Sequence, residues 1–199
     1  MTYNPKIHHR KSIRLKNYDY SQAGLYFITI CTQNRLHLFG EIVDDAMALN
    51  DAGQMVWDEW YKSEKIRDEI KMHEFVVMPN HIHGIVEITV GANGRSPVQS
   101  PVQSPPIKKS MRPRSIGSLV AGFKSSFTTK MNHMDRTPKR QLWQRNYWEH
   151  IIRNDNEYQR IAQYIVDNPK KWALDKLNGG MGNTVMEQSA LYNQEAWMV

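Results

Sequence analysis

The spacing of apolar positions divides the chain into a small set of elements. Residues 25–31, Leu-Tyr-Phe-Ile-Thr-Ile-Cys, are β-branched and aromatic and predict a buried strand. Residues 38–43 predict a second short strand. From residue 50 to about 70, Met55, Val56, Trp60 and Ile66 recur among many charges, the pattern of a surface helix with one apolar stripe. Residues 74–77, a Met78-Pro79-Asn80 turn and residues 81–90 predict a hairpin. Further on, Ile116, Leu119, Val120, Phe123 and Phe127 follow the i, i+3, i+4, i+7, i+11 spacing of a helix buried on one side, with Ser and Lys on the other. An extended segment over 141–152 leads into a last helix over 155–167. Pro169 should end it, because the residue before a proline is driven from the helical region. Strand, helix, paired strands, helix and strand in this order predict an α+β sandwich with helices on one face of the sheet.

Residues 91–114 break the pattern. Ser96-Pro97-Val98-Gln99 is repeated as Ser100-Pro101-Val102-Gln103 and followed by Ser104-Pro105-Pro106. A Pro/Ser-rich tract of this kind cannot fill a core and reads as a flexible insertion. The chain thus divides into a basic arm over 1–24, a domain over 25–175 carrying the insertion, and a tail over 176–199.

Charge sharpens the picture. The net charge of +6 is unevenly spread: residues 1–16 hold five Lys/Arg and no acid, whereas residues 17–107 hold six bases against twelve acids. Residues 108–145 hold ten bases against Asp135 alone. Basic segments flanking an acidic body suit a polyanion, because clustered Lys and Arg gain affinity by releasing counterions from phosphates. The candidate contacts are Arg112, Arg114, Lys124, Lys130, Lys139, Arg140 and Arg145. Cys31 is the only cysteine, which excludes an internal disulfide and a cysteine-rich zinc site. No run approaches the roughly 18 apolar residues of a membrane span, and the basic N-terminal residues lack a secretory h-region. The expectation is a cytoplasmic, nucleoid-associated protein with no membrane partner.

Two constellations could carry chemistry. In His81-Ile82-His83, strand alternation turns both imidazoles to one side and Ile82, Val86, Ile88 and Val90 to the other. Convergent histidines make half of a divalent-cation site, although paired strand histidines are also ordinary satisfied polar groups. The absence of HExxH argues against a zincin-type hydrolase. On the last helix, Tyr158, Ile161, Ala162 and Ile165 share one stripe, and Tyr164 falls roughly 120° away at about 100° per residue. Tyr164 shares its side with Glu157, Arg160 and Asn168, so its hydroxyl is exposed and could act, although an ordinary half-buried aromatic fits the same position.

Read in order, Phe75-Val76-Val77-Met78-Pro79-Asn80-His81-Ile82-His83-Gly84, then Trp143-Gln144-Arg145-Asn146-Tyr147-Trp148-Glu149-His150, then Tyr164-Ile165 with Asn168-Pro169, the chain resembles the single-tyrosine HUH transposases. Among these it is most similar to the REP-associated tyrosine transposases. The resemblance implies a ferredoxin-like α+β domain of the HUH nuclease type, with an antiparallel sheet and helices on one face. It implies His81 and His83 as metal ligands, Mg²⁺ or Mn²⁺ as the cofactor, and Tyr164 as the nucleophile. Asn168 takes the place of a third ligand, shortened relative to the glutamine of some relatives and followed directly by Pro169. The implied activity is cleavage and rejoining of single-stranded or hairpin DNA through a 5′-phosphotyrosine, in DNA transposition. The alternatives are a catalytically silent DNA-binding protein derived from a transposase and a metal-dependent hydrolase of small phosphoesters, which would not need the basic segment. Homodimer and monomer stay equally open.

Overall fold

A computed structural model of the chain describes residues 18–89 and 113–178. The SPVQ tract, Arg112, most of the basic arm and the tail beyond Asn178 lie outside the described residues. The main sheet has four antiparallel strands in the order β4-β5-β1-β6, comprising β1 (Gly24–Cys31), β4 (Ile70–Met78), β5 (His81–Ile88) and β6 (Trp148–Ile152). The helices are α1 (Asp51–Lys65), α2 (Ile116–Met134) and α3 (Asp155–Asp167). The β1-α1-β4-β5-α2-β6 order with antiparallel pairing is the ferredoxin-like arrangement. A separate two-stranded sheet, β2 (Gly40–Val43) and β3 (Ala46–Leu49), precedes α1. The sequence predicts only the first of this pair, since Ala-Met-Ala-Leu has little β-branched character.

Alternation along β1 and β5 builds two cores. Tyr26, Ile28 and Ile30 with Ile82, Val86 and Ile88 face α1 and α2, where Val56, Trp60, Leu119, Val120, Phe123 and Phe127 complete a buried cluster. Phe27 and Ile85 point the other way and pack under Ile161, Ala162 and Ile165 of α3. Helices therefore cover both faces: α1 and α2 occupy one face as the sequence predicts, and α3 lies on the opposite face, the one that carries the histidines. Local periodicity identifies a helix's apolar stripe but not the side of the sheet that receives it.

Each helix start is fixed locally. Asn50 Oδ1 accepts from Gly53 N at 2.9 Å, Asn154 Oδ1 accepts from Glu157 N at 2.9 Å, and Ser115 and Ser118 form a reciprocal capping box. The first helix ends earlier than its pattern predicts: Ile66 is 69% exposed and Ile70 already belongs to β4. Gly84 lies where Trp60 rests on the sheet, and a Cβ there would meet Trp60 Cζ2 at 2.5 Å. Pro169 does not expel Asn168 from the helical region. Asn168 keeps φ −57° and ψ −43°, and the chain continues into a 3₁₀ turn over Pro169–Leu174. That turn brings the following residues back over the histidine end of β5, where Trp172 lies 6.0 Å from His81 between ring centroids.

Candidate metal and nucleophile site

Both histidines start β5 and are fully buried. Their Nε2 atoms lie 3.1 Å apart. Asn80 fixes the tautomer of His81: its Nδ2 donates to the carbonyls of Leu177 at 2.8 Å and Arg35 at 3.4 Å, so its Oδ1 accepts from His81 Nδ1 at 2.8 Å. His81 Nε2 is thereby left with its lone pair, as a metal ligand requires. On the neighbouring strand, Thr29 Oγ1 lies 2.8 Å from His83 Nδ1. A hydroxyl both donates and accepts, so Thr29 suits either tautomer of His83.

A carboxylate completes the group. Asp175 Oδ2 lies 3.8 Å from His81 Nε2, and ligand atoms of His81, His83 and Asp175 all fall within 4.8 Å of one another. Asp175 Oδ1 accepts from Leu177 N at 2.6 Å, which orients the side chain. This donor set fits a divalent cation. Two imidazole nitrogens and a carboxylate oxygen are the donor types that would hold such an ion. Burial pushes His81 well below the usual imidazole range, with His83, Arg35 and His37 adding to the effect. Burial also pushes His83 down to about 3. Neutral imidazoles with an adjacent carboxylate are the state in which such a cluster binds metal.

Tyr164 comes to this cluster from α3. Its hydroxyl is 3.3 Å from His83 Nε2, and its ring stands edge-on to His83 and Phe27. Two ties set the helix in this position. His150 on β6 lies 2.7 Å from Glu157 Oε1, and Glu157 Oε2 accepts from Arg153 N at 2.6 Å. Tyr158, beside the apolar stripe, donates to Glu74 Oε2 at 2.7 Å and lies 3.2 Å from His73 Nδ1. Burial, reinforced by the Glu74 hydrogen bond, pushes Tyr158 up to about 12. Its hydroxyl is engaged by Glu74 and His73 of β4, whereas that of Tyr164 meets His83. His73 and Glu74 occupy the register shift between Met72 and Phe75 in β4.

Asn168 is 2% exposed, and its Oδ1 has no hydrogen-bond partner among the described residues. The carboxylate of Asp175 was not identified from sequence, because it follows the proline turn and has no spacing relation to the histidines. Asn80 does carry a signal, since it immediately precedes His81 in the hairpin turn.

The basic segment divides. Lys124 is an internal residue: its Nζ donates to the carbonyls of Gln144 at 2.8 Å and Asn146 at 2.9 Å, and burial pulls it down to about 8. Lys130 is ion-paired with buried Glu59, whose other oxygen accepts from Ser126. An amphipathic pattern does not reveal such pairings: Lys124 is half-buried on backbone carbonyls, and Lys130 reaches buried Glu59 from an exposed position. Arg114, Lys139, Arg140 and Arg145 are exposed, with Arg140 3.3 Å from Asp135. Among the described residues, no helix is long and apolar enough to cross a membrane.

No family model matches the sequence. An uncharacterized protein of Haemophilus influenzae is 41% identical over 175 residues, 88% of this chain and 96% of that protein. A second Haemophilus influenzae protein, named "Putative REP-associated tyrosine transposase", is 24% identical over 167 residues, 79% of this chain and 77% of its own. Among solved structures, a REP-associated tyrosine transposase bound to a REP hairpin superposes with a TM-score of 0.54 at 20% identity, covering 94% of this chain and 90% of its own. The chain belongs to one family with the first Haemophilus influenzae protein, and it has the fold of the REP-associated tyrosine transposases.

Proposed function

We propose that residues 25–175 form a metal-dependent single-strand DNA endonuclease and strand transferase that acts on hairpin DNA. The observation that carries this reading is the convergence of the Tyr164 hydroxyl, both histidine Nε2 atoms and the Asp175 carboxylate in one buried corner. A phenol of ordinary pKa near 10 is a weak nucleophile, and a phosphodiester resists attack through its own charge. A cation held by His81, His83 and Asp175 would supply charge neutralisation at the scissile phosphate. Asn168, with its buried and unpartnered Oδ1, is a further candidate donor one turn after Tyr164.

Tyr164 Oη attacks phosphorus and forms a tyrosine–phosphate bond to the 5′ side as the bond to the 3′ oxygen breaks. The phenol proton balances the new 3′ hydroxyl. Joining is the reverse step, with a 3′ hydroxyl displacing the tyrosine. Asn80 and Thr29 hold the imidazoles in orientation, and the ties at Glu157 and Tyr158 hold α3 so that Tyr164 meets them. Arg114, Lys139, Arg140 and Arg145 supply phosphate contacts along the strand.

The test is incubation of the protein with labelled single-stranded hairpin oligonucleotides and Mg²⁺ or Mn²⁺, followed by a denaturing gel. A metal-dependent covalent protein–DNA adduct is expected. DNA retention without an adduct on any hairpin would favour the catalytically silent binding protein instead.

A further inference from the structure

Arg35 has the features of a ligand-binding arginine that no step above uses. It is 6% exposed, in the short turn after β1, and its guanidinium is only partly satisfied. Nη1 donates to the carbonyl of Lys176 at 3.1 Å, whereas Nε and Nη2 are buried with no hydrogen-bond partner among the described residues. Those two nitrogens form one edge of the planar guanidinium, the edge that presents two parallel N–H groups to a pair of oxygens. A buried cation with an unfilled bidentate edge is costly unless an anion completes it.

Its position is beside the metal cluster. Lys176, which anchors Nη1, directly follows Asp175. The backbone carbonyl of Arg35 accepts from the same Asn80 whose Oδ1 fixes His81. The turn is also held in an unusual conformation: Asn34 and Arg35 are consecutive left-handed residues, at φ 55° and 52°. Arginine is not a residue that favours this region. The conformation is enforced by Arg35 N donating to the Thr32 carbonyl at 3.1 Å and by Thr32 Oγ1 donating to the Leu36 carbonyl at 2.8 Å. Backbone strain of this kind accumulates where a side chain must be delivered to a site. Among the described residues no acidic side chain hydrogen-bonds this edge.

We propose that Arg35 binds the non-bridging oxygens of a DNA phosphodiester through Nε and Nη2, next to the His81–His83–Asp175 cluster, a role that rests on the strand-cleavage reading above. Bidentate binding fixes the orientation of a phosphate as well as adding charge. Together with a cation on the histidine side, it would grip the backbone from two directions.

Phosphate titration of the metal-free protein, followed by NMR at the Arg35 Nε–H resonance, tests this directly. Saturable movement of that resonance with inorganic phosphate is expected. Arg35→Gln, which can still donate to the Lys176 carbonyl, should weaken phosphate binding at least tenfold while Mn²⁺ affinity changes less than twofold. Arg35→Lys keeps the charge and loses the fork; it should fall between the two, and it serves if Arg35→Gln does not fold. An Nε–H resonance that ignores phosphate, or equal phosphate affinity in wild type and the variants, would overturn the proposal. A wild type that binds phosphate through Arg35 yet forms no DNA adduct would sink the cleavage reading and leave the oxyanion site standing.

Discussion

The hydroxyl of Tyr164 lies 3.3 Å from Nε2 of His83, although 81 residues separate the two in sequence. The contact exists because α3 packs on the histidine face of the sheet, with Ile161, Ala162 and Ile165 against Phe27 and Ile85. A residue off the apolar stripe of a helix usually faces solvent. Here the edge of that stripe borders a buried polar pocket, and the off-stripe tyrosine faces the histidines.

The first prediction separates the two tyrosines of α3. Tyr164→Phe removes one oxygen and little packing, so melting temperature and DNA retention should hold while the covalent adduct disappears. Tyr158→Phe should keep adduct formation and lose about 0.5–1.5 kcal/mol of stability, because Glu74 loses a half-buried hydrogen-bond donor. Denaturation curves and the denaturing gel report the two effects independently. An adduct formed by Tyr164→Phe would mean that another nucleophile is at work.

Cation binding should depend on all three clustered residues. Mn²⁺ should raise the melting temperature of the wild type by mass action. The His81→Ala, His83→Ala double variant should show no such rise. Asp175→Asn should weaken Mn²⁺ at least tenfold, since it removes the one carboxylate charge in the cluster. Calorimetric titration of Asp175→Asn with undiminished affinity would remove Asp175 from the site.

Acid should destabilise the metal-free protein through the same histidines. Both are held neutral by burial, with His83 at about 3 and His81 well below its usual range. In the unfolded chain each binds a proton near pH 6.5. Below that value the unfolded state therefore holds more protons, and unfolding free energy falls as pH falls, toward about pH 3. Their contribution is fully present above pH 6.5. Each buried neutral histidine steepens the loss by about 1.4 kcal/mol per pH unit between 6 and 5. Urea unfolding at pH 7, 6 and 5 should show this slope in wild type and a shallower one in His83→Gln.

The exposed basic residues should act through phosphates. Charge reversal of Lys139 and Arg140 should weaken hairpin binding and reduce the salt slope of log K by about one unit per lost contact. Lys124→Met should instead lower stability, because Lys124 ties the 144–146 backbone to α2. Equal salt slopes in wild type and the charge-reversed variant would make residues 139–140 an ordinary solvated surface.

The sequence alone determined what local periodicity records. Alternation set His81 and His83 on one side of β5, the Ile116–Phe127 spacing set the buried face of α2, and the apolar stripe with Pro169 set α3 at Asp155–Asp167. These features follow from short-range geometry, in which each residue's direction is fixed by its near neighbours. The tertiary structure decided which side of the sheet receives α3, and hence that Tyr164 meets His83. It also decided that Asp175 returns to the histidines through the Pro169–Leu174 turn, and that Arg35 is buried beside them. The same holds for the partners of Lys124 and Lys130: the charge pattern shows two cations, and the packed chain sets one on the Gln144 and Asn146 carbonyls and the other against Glu59. Contacts between distant segments depend on how whole elements dock, and no spacing along the chain encodes that docking.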